Sequence, residues 1–158
     1  MKRGSSLFLK AAVILMALPV LAGFIYLIYF LLRNPINPEY ALILYPIVIG
    51  ILLTVLPYIF ALTQGFKLLN YIDRRDAFSN LSVKALQKIK ISAFIISGIY
   101  FVILPFVYIV AEIDDAPGLI IMGMVPVFAA LVIAFFAAIL EKLLDEAINI
   151  KTENELTV

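Results

Sequence analysis

The chain has 158 residues, 65% of them hydrophobic, with twelve Lys/Arg, eleven Asp/Glu and a net charge of +1. A soluble domain averages roughly 45–50% apolar residues, and a chain this short cannot hide such an excess in one core, so its solvent is lipid. There is no Cys and no His, which excludes disulfides, thiol chemistry, His-based catalysis and most transition-metal sites, and the balanced charge gives no reason to expect nucleic acid as a partner.

The amino terminus, "MKRGSSLFLK", is basic and leads into the first charge-free run, Ala11–Leu32. Its apolar stretch exceeds the roughly 7–15 residues of a signal-peptide core, and Phe24 stands where a lipidated Cys would follow "VLAG", so this run is expected to stay in the mature protein. The second run is Tyr40–Phe66, with a span expected over 42–66. The third is Ile91–Ala111, and the fourth is Ala116–Leu140, with a span expected over 118–140. Each run is long enough for the roughly 20 residues that cross about 30 Å of hydrocarbon. The expected fold is therefore all-α: one polytopic membrane domain of four transmembrane helices, a loop over 67–90 and a tail over 141–158.

Charge then orients the helices. Eleven of the twelve Lys/Arg fall at the amino terminus, in 67–90 or in the tail, and only Arg33 falls on the opposite side. The positive-inside rule places both termini and the middle loop in the cytoplasm of a cell-membrane protein. The external turn "EIDDAP" carries Glu112, Asp114 and Asp115, read as a solvated turn, with weak Ca²⁺ or Mg²⁺ holding as the alternative.

Within the spans there is no Asp, Glu, Lys or Arg, which argues against a proton-coupled carrier. The polar residues Thr54, Thr63, Gln64, Ser92 and Ser97 are expected mostly near the cytoplasmic ends, in interfacial hydrogen bonds. Pro19, Pro46, Pro57, Pro105 and Pro126 are read as tolerated kinks, with hinges for a bilayer sensor as the alternative. Ala130, Ala134 and Ala138 form a ridge of small residues on span four, and Ala61 and Gly65 a shorter one on span two. Both suit close helix packing within the chain, or in a homo-oligomer.

The segment "YIDRRDAFSNLSVKALQKIK" interrupts the grease. "DRRD" reads as a turn and Ser79 as an N-cap. Phe78, Leu81, Ser82, Ala85, Leu86 and Ile89 fall on one helical face, opposite Lys84, Gln87 and Lys88, and the helix is expected to run straight into span three. The tail repeats the pattern with Leu140, Leu143, Leu144, Ala147 and Ile148, and is acidic where the loop is basic. The two are expected to pack together, with Lys84 and Lys88 near Asp145 and Glu146 or lipid phosphates. The plainer alternative is a basic topology anchor. The end, "IKTENELTV", lacks helical periodicity and is expected to be a flexible terminus or a short recognition segment.

"KLLNYIDRRDAFSNLSVKALQKIK", "MKRGSSLFLK" and "IKTENELTV" together resemble a family of small bacterial membrane proteins, the domain of unknown function 2975. The most specific part is Tyr71-Ile72-Asp73 with Ala77-Phe78-Ser79, then Leu86, Ile89 and Lys90. The resemblance implies four membrane helices and no established activity. It also implies a soluble partner, because members are often encoded beside a small helix-turn-helix regulator. The expected function is a regulatory membrane protein without enzymatic activity or cofactor. The candidate partner-binding residues are Tyr71, Asp73, Phe78, Ser79, Leu81, Lys84, Lys88, Leu144, Ile148, Glu153 and Leu156. The alternative is a small oligomeric transporter or channel subunit.

Overall fold

The structure, a computed structural model, describes residues 3–156. Lys2 of the basic amino terminus, and Thr157 and Val158 of the expected recognition segment, lie outside them. Four long helices make up the fold: α1 (Arg3–Arg33), α2 (Ala41–Asp73), α3 (Asn80–Ile113) and α4 (Gly118–Leu156). All four are long and apolar enough to cross a membrane, and each contains one of the expected spans, 11–32, 42–66, 91–111 and 118–140. The chain is an all-α polytopic membrane protein. The five prolines sit inside unbroken helices.

Successive helices are antiparallel neighbours. α1 packs against α2 alone, α2 against α3, and α3 against α4. This brings the start of α1, the α2–α3 turn and the end of α4 to one end of the molecule, here called the basic end.

The connections have local causes. At the first, Asn37 caps a 3-10 turn (Pro38–Tyr40) by accepting from the Glu39 N–H at 3.2 Å. The second and third are built alike. Arg75 (φ 57°) and Asp115 (φ 50°) adopt left-handed backbone just past a helix end. The next N–H then reaches back, Asp76 to the Tyr71 carbonyl at 2.8 Å and Ala116 to the Ala111 carbonyl at 2.9 Å. These are Schellman closures, with Pro117 blocking continuation of the third helix.

The core is narrow and made of small residues. α3 contributes Ser82, Ala85, Leu86, Ser92, Ala93, Ser97, Ile103 and Ala111, and α4 contributes Val127, Ala130, Ala134 and Ala137. Small side chains let backbones approach, which is how membrane helices gain dispersion and cross-helix hydrogen bonds. The α4 ridge therefore turns through Ala137 rather than the expected Ala138, following the alternating three- and four-residue step of a packed helix. On α2 the close approach is at Gly50, where a Cβ would overlap the Ile103 side chain, and not at Gly65, where a Cβ would meet nothing within 4 Å.

Thr54, Gln64, Ser92 and Ser97 are buried in the bundle, whereas Thr63 is exposed. Ser97 donates across to the Val127 carbonyl at 3.1 Å, and Ser92 donates to the Lys88 carbonyl at 2.8 Å. The tail is helical to Leu156, because Lys, Glu and Leu favour helix even without an apolar period. The helical tail corrects the expectation of an irregular end, whereas the 67–90 segment holds the expected turn, at 74–79 after α2 ends at Asp73, and the expected helix from Asn80 straight into span three.

Candidate functional site: the basic end and the interhelical cavity

At the basic end α3 and α4 run on together past the charge-free runs. Glu141 to Leu156 amounts to about 22 Å of α4, and Asn80 to Lys90 to about 15 Å of α3. The two extensions are joined by an ion pair, Lys90 Nζ to Glu141 Oε2 at 2.7 Å, with both side chains three-quarters or more buried. Lys84 and Lys88 make no ion pair with Asp145 or Glu146 among the described residues, because Lys90 is the lysine beside the helix contact. Lys84 and Lys88 are exposed.

The apolar stripes divide. Ser82, Ala85 and Leu86 are buried, and Leu144, Ala147 and Ile148 are half-buried. Phe78 and Leu81, expected on the same face, are 56% and 50% exposed, and Leu143, Ile150 and Leu156 are exposed as well. Phe78 misses the face because it precedes α3. Ser79 takes the N-cap position in extended backbone but makes no side-chain cap bond; its hydroxyl donates back to the Asp76 carbonyl at 2.7 Å. Phe78 instead joins Ala147, Ile150, Lys151, Asn154 and Glu155 around an open hollow, so the α2–α3 turn does meet the tail.

Of the remaining candidates, Tyr71 is half-buried, and Glu153 and Leu156 lie exposed on the last turns of α4. Asp73 is engaged: its Oδ2 accepts from Lys10 Nζ at 2.7 Å. Lys10 also lies 5.5 Å over the Phe66 ring. These contacts pin the start of α1 to the end of α2. Glu112, Asp114 and Asp115 form no metal-holding cluster with one another among the described residues.

A second feature was not legible in the sequence. A cavity of about 620 Å³ lies among all four helices. Its walls include Gly23 and Leu27 from α1, Thr54 and Tyr58 from α2, Tyr100 from α3 and Ala129 from α4. The lining is apolar apart from three hydroxyls. Thr54 donates to the Ile51 carbonyl at 2.6 Å and shares a 3.3 Å hydrogen bond with the Tyr100 hydroxyl. Tyr58 donates to the Met16 carbonyl at 3.1 Å. The cavity exists because α1 leans on α2 and stands away from α3 and α4.

Over its full length the chain is 50% identical, across 160 residues, to a protein of Bacillus subtilis (strain 168) described as uncharacterized membrane protein YoaS, which is likewise covered completely. No solved structure matches the chain. The family described as protein of unknown function (DUF2975) matches residues 32–158. That match takes in α2, α3 and α4 with the "YIDRRDAFSNLSVKALQKIK" turn, and the chain belongs to the DUF2975 family.

Proposed function

We propose that this protein is a non-catalytic regulatory membrane protein that holds a soluble helix-turn-helix regulator at the cytoplasmic face. The observation that carries the reading is the α3–α4 extension. α4 is 39 residues long, about 58 Å, against roughly 30 Å of hydrocarbon. Ile150 and Leu156 on the extension, and Phe78 just before α3, stay exposed beyond the charge-free runs. The hollow of Phe78, Ala147 and Ile150, edged by Lys151, Asn154 and Glu155, suits a protein contact with an apolar centre and a polar rim. The excess of Lys/Arg at this end supports its cytoplasmic placement.

A transporter or channel subunit has less support. The buried polar side chains of the described residues are neutral, and those of Ser92, Ser97 and Thr54 are spent on helix carbonyls. The test is affinity purification from native membranes, comparing the parent with an Ile150→Asp/Leu156→Asp variant. A helix-turn-helix protein should co-purify with the parent and be lost from the variant while membrane insertion is unchanged. Equal recovery from both, or none from either, would overturn the proposal.

A further inference from the structure

We propose that the interhelical cavity holds one acyl chain of an anionic phospholipid. Its lining runs from Met16 to Leu27 on α1 and from Ile51 to Leu62 on α2. Eleven steps of about 1.5 Å give roughly 16 Å, the depth of one leaflet of a hydrocarbon core about 30 Å thick. Its volume, about 620 Å³, lies in the range of small-molecule sites. The wall hydroxyls Thr54, Tyr58 and Tyr100 already hydrogen-bond within the protein, so the cavity offers water too few partners. An empty void would forfeit dispersion contacts along its whole lining. At this depth the available filler is hydrocarbon.

Charge selects the headgroup. At the basic end of the cavity Ile89 adjoins Lys90, Leu62 lies five residues from Lys67, and Met16 lies six from Lys10. A chain that continues about 8–9 Å past Leu62 and Met16 at this end brings its phosphate to the level of three lysines. Lys10 and Lys90 are matched by Asp73 and Glu141, whereas Lys67 is exposed and makes no ion pair among the described residues. That leaves a positive charge for an anionic headgroup. The bound chain also fills the gap across which α1 otherwise meets only α2.

Glycines provide the test. A Cβ at Gly23, on the cavity wall, meets nothing within 4 Å, so Gly23→Phe fills the cavity without a backbone clash. Ala129→Phe fills it from α4. Gly98 has the same free space but does not line the cavity, so Gly98→Phe is the control. The full-length protein is purified in detergent, checked for parental helicity and melting, and titrated with dioleoyl phosphatidylglycerol or dioleoyl phosphatidylcholine under native mass spectrometry. One phosphatidylglycerol per chain should persist in the parent and in Gly98→Phe. Retention should fall about tenfold or more in whichever filled variants fold. Lys67→Gln should reduce the preference over phosphatidylcholine several-fold. Equal retention by the parent and a folded cavity-filled variant would show annular lipid only and overturn the proposal. Equal binding of phosphatidylcholine by the parent, or tighter binding of free oleate, would also overturn it. Should neither filled variant fold, quenching of parent tyrosine fluorescence by dibrominated phosphatidylglycerol decides: a saturable component at one lipid per chain supports the site, and its absence overturns it.

Discussion

Ser6 is almost fully buried, and its hydroxyl has no hydrogen-bond partner among the described residues. An unsatisfied buried hydroxyl costs about 1–3 kcal/mol, so Ser6→Ala should leave the melting temperature unchanged or raise it. Arg75 and Asp115 carry side chains in left-handed backbone, where a Cβ costs roughly 1–2 kcal/mol. Glycine removes that strain but loses more entropy on folding, which offsets part of the gain, so Arg75→Gly and Asp115→Gly should each stabilise by about 0.5–1 kcal/mol, read by thermal unfolding in detergent. The two ion pairs lie between exposed pairs, at about 0–1 kcal/mol, and fully buried ones, where removing one partner costs about 3–5 kcal/mol. Glu141→Gln should therefore cost roughly 1–2 kcal/mol, where Lys84→Ala should stay within about 0.5 kcal/mol.

Among the helices, α3 organises the bundle, since it packs against both α2 and α4. Its contact with α2 depends on Gly50. A Cβ there overlaps Ile103, and overpacking of this kind costs about 1–3 kcal/mol, so Gly50→Ala should lower the melting temperature where Gly65→Ala does not. Where α3 meets the tail, burial ranks the side chains. Leu86 is 7% exposed and Phe78 is 56% exposed. Leu86→Ala should cost about 2–3 kcal/mol, well above Phe78→Ala. The chain has no cysteine, so introduced pairs report without background. Cysteines replacing Phe78 and Ile150, on one hollow, should cross-link in membranes. Failure there, with both segments open to protease, would reduce 71–90 to a basic anchor.

For the molecule as a whole, the antiparallel order requires both described ends to lie on one side. Reporter fusions after Leu156 and near Asn37 should therefore report opposite sides, with the first cytoplasmic if the lysine bias sets the insertion. The same order places the exposed tail surface and the basic end of the cavity close together. A lipid that seats α1 and a partner held by α4 would therefore act on one end of one bundle.

The four spans and the helical continuity from 80 into the third were legible in the sequence, because hydrocarbon imposes a length and a lack of charge that composition alone records. The turn at "DRRD" was legible for a similar reason: charges leave the bilayer, and the chain must reverse there. What the sequence could not decide was which side chains meet. Lys84, Lys88 and Lys90 are equivalent in composition, and only the crossing of α3 and α4 selects Lys90 for Glu141. In lipid, apolar patterning loses its power to mark the core, because both faces of a helix are greasy. Small residues mark it instead, and several of these spans offer more of them than the bundle uses. Gly50 and Gly65 look alike in sequence, and only packing gives one a neighbour and leaves the other open. The cavity is a further case: it arises from α1 standing away from α3 and α4, a relation between helices that no stretch of residues carries alone.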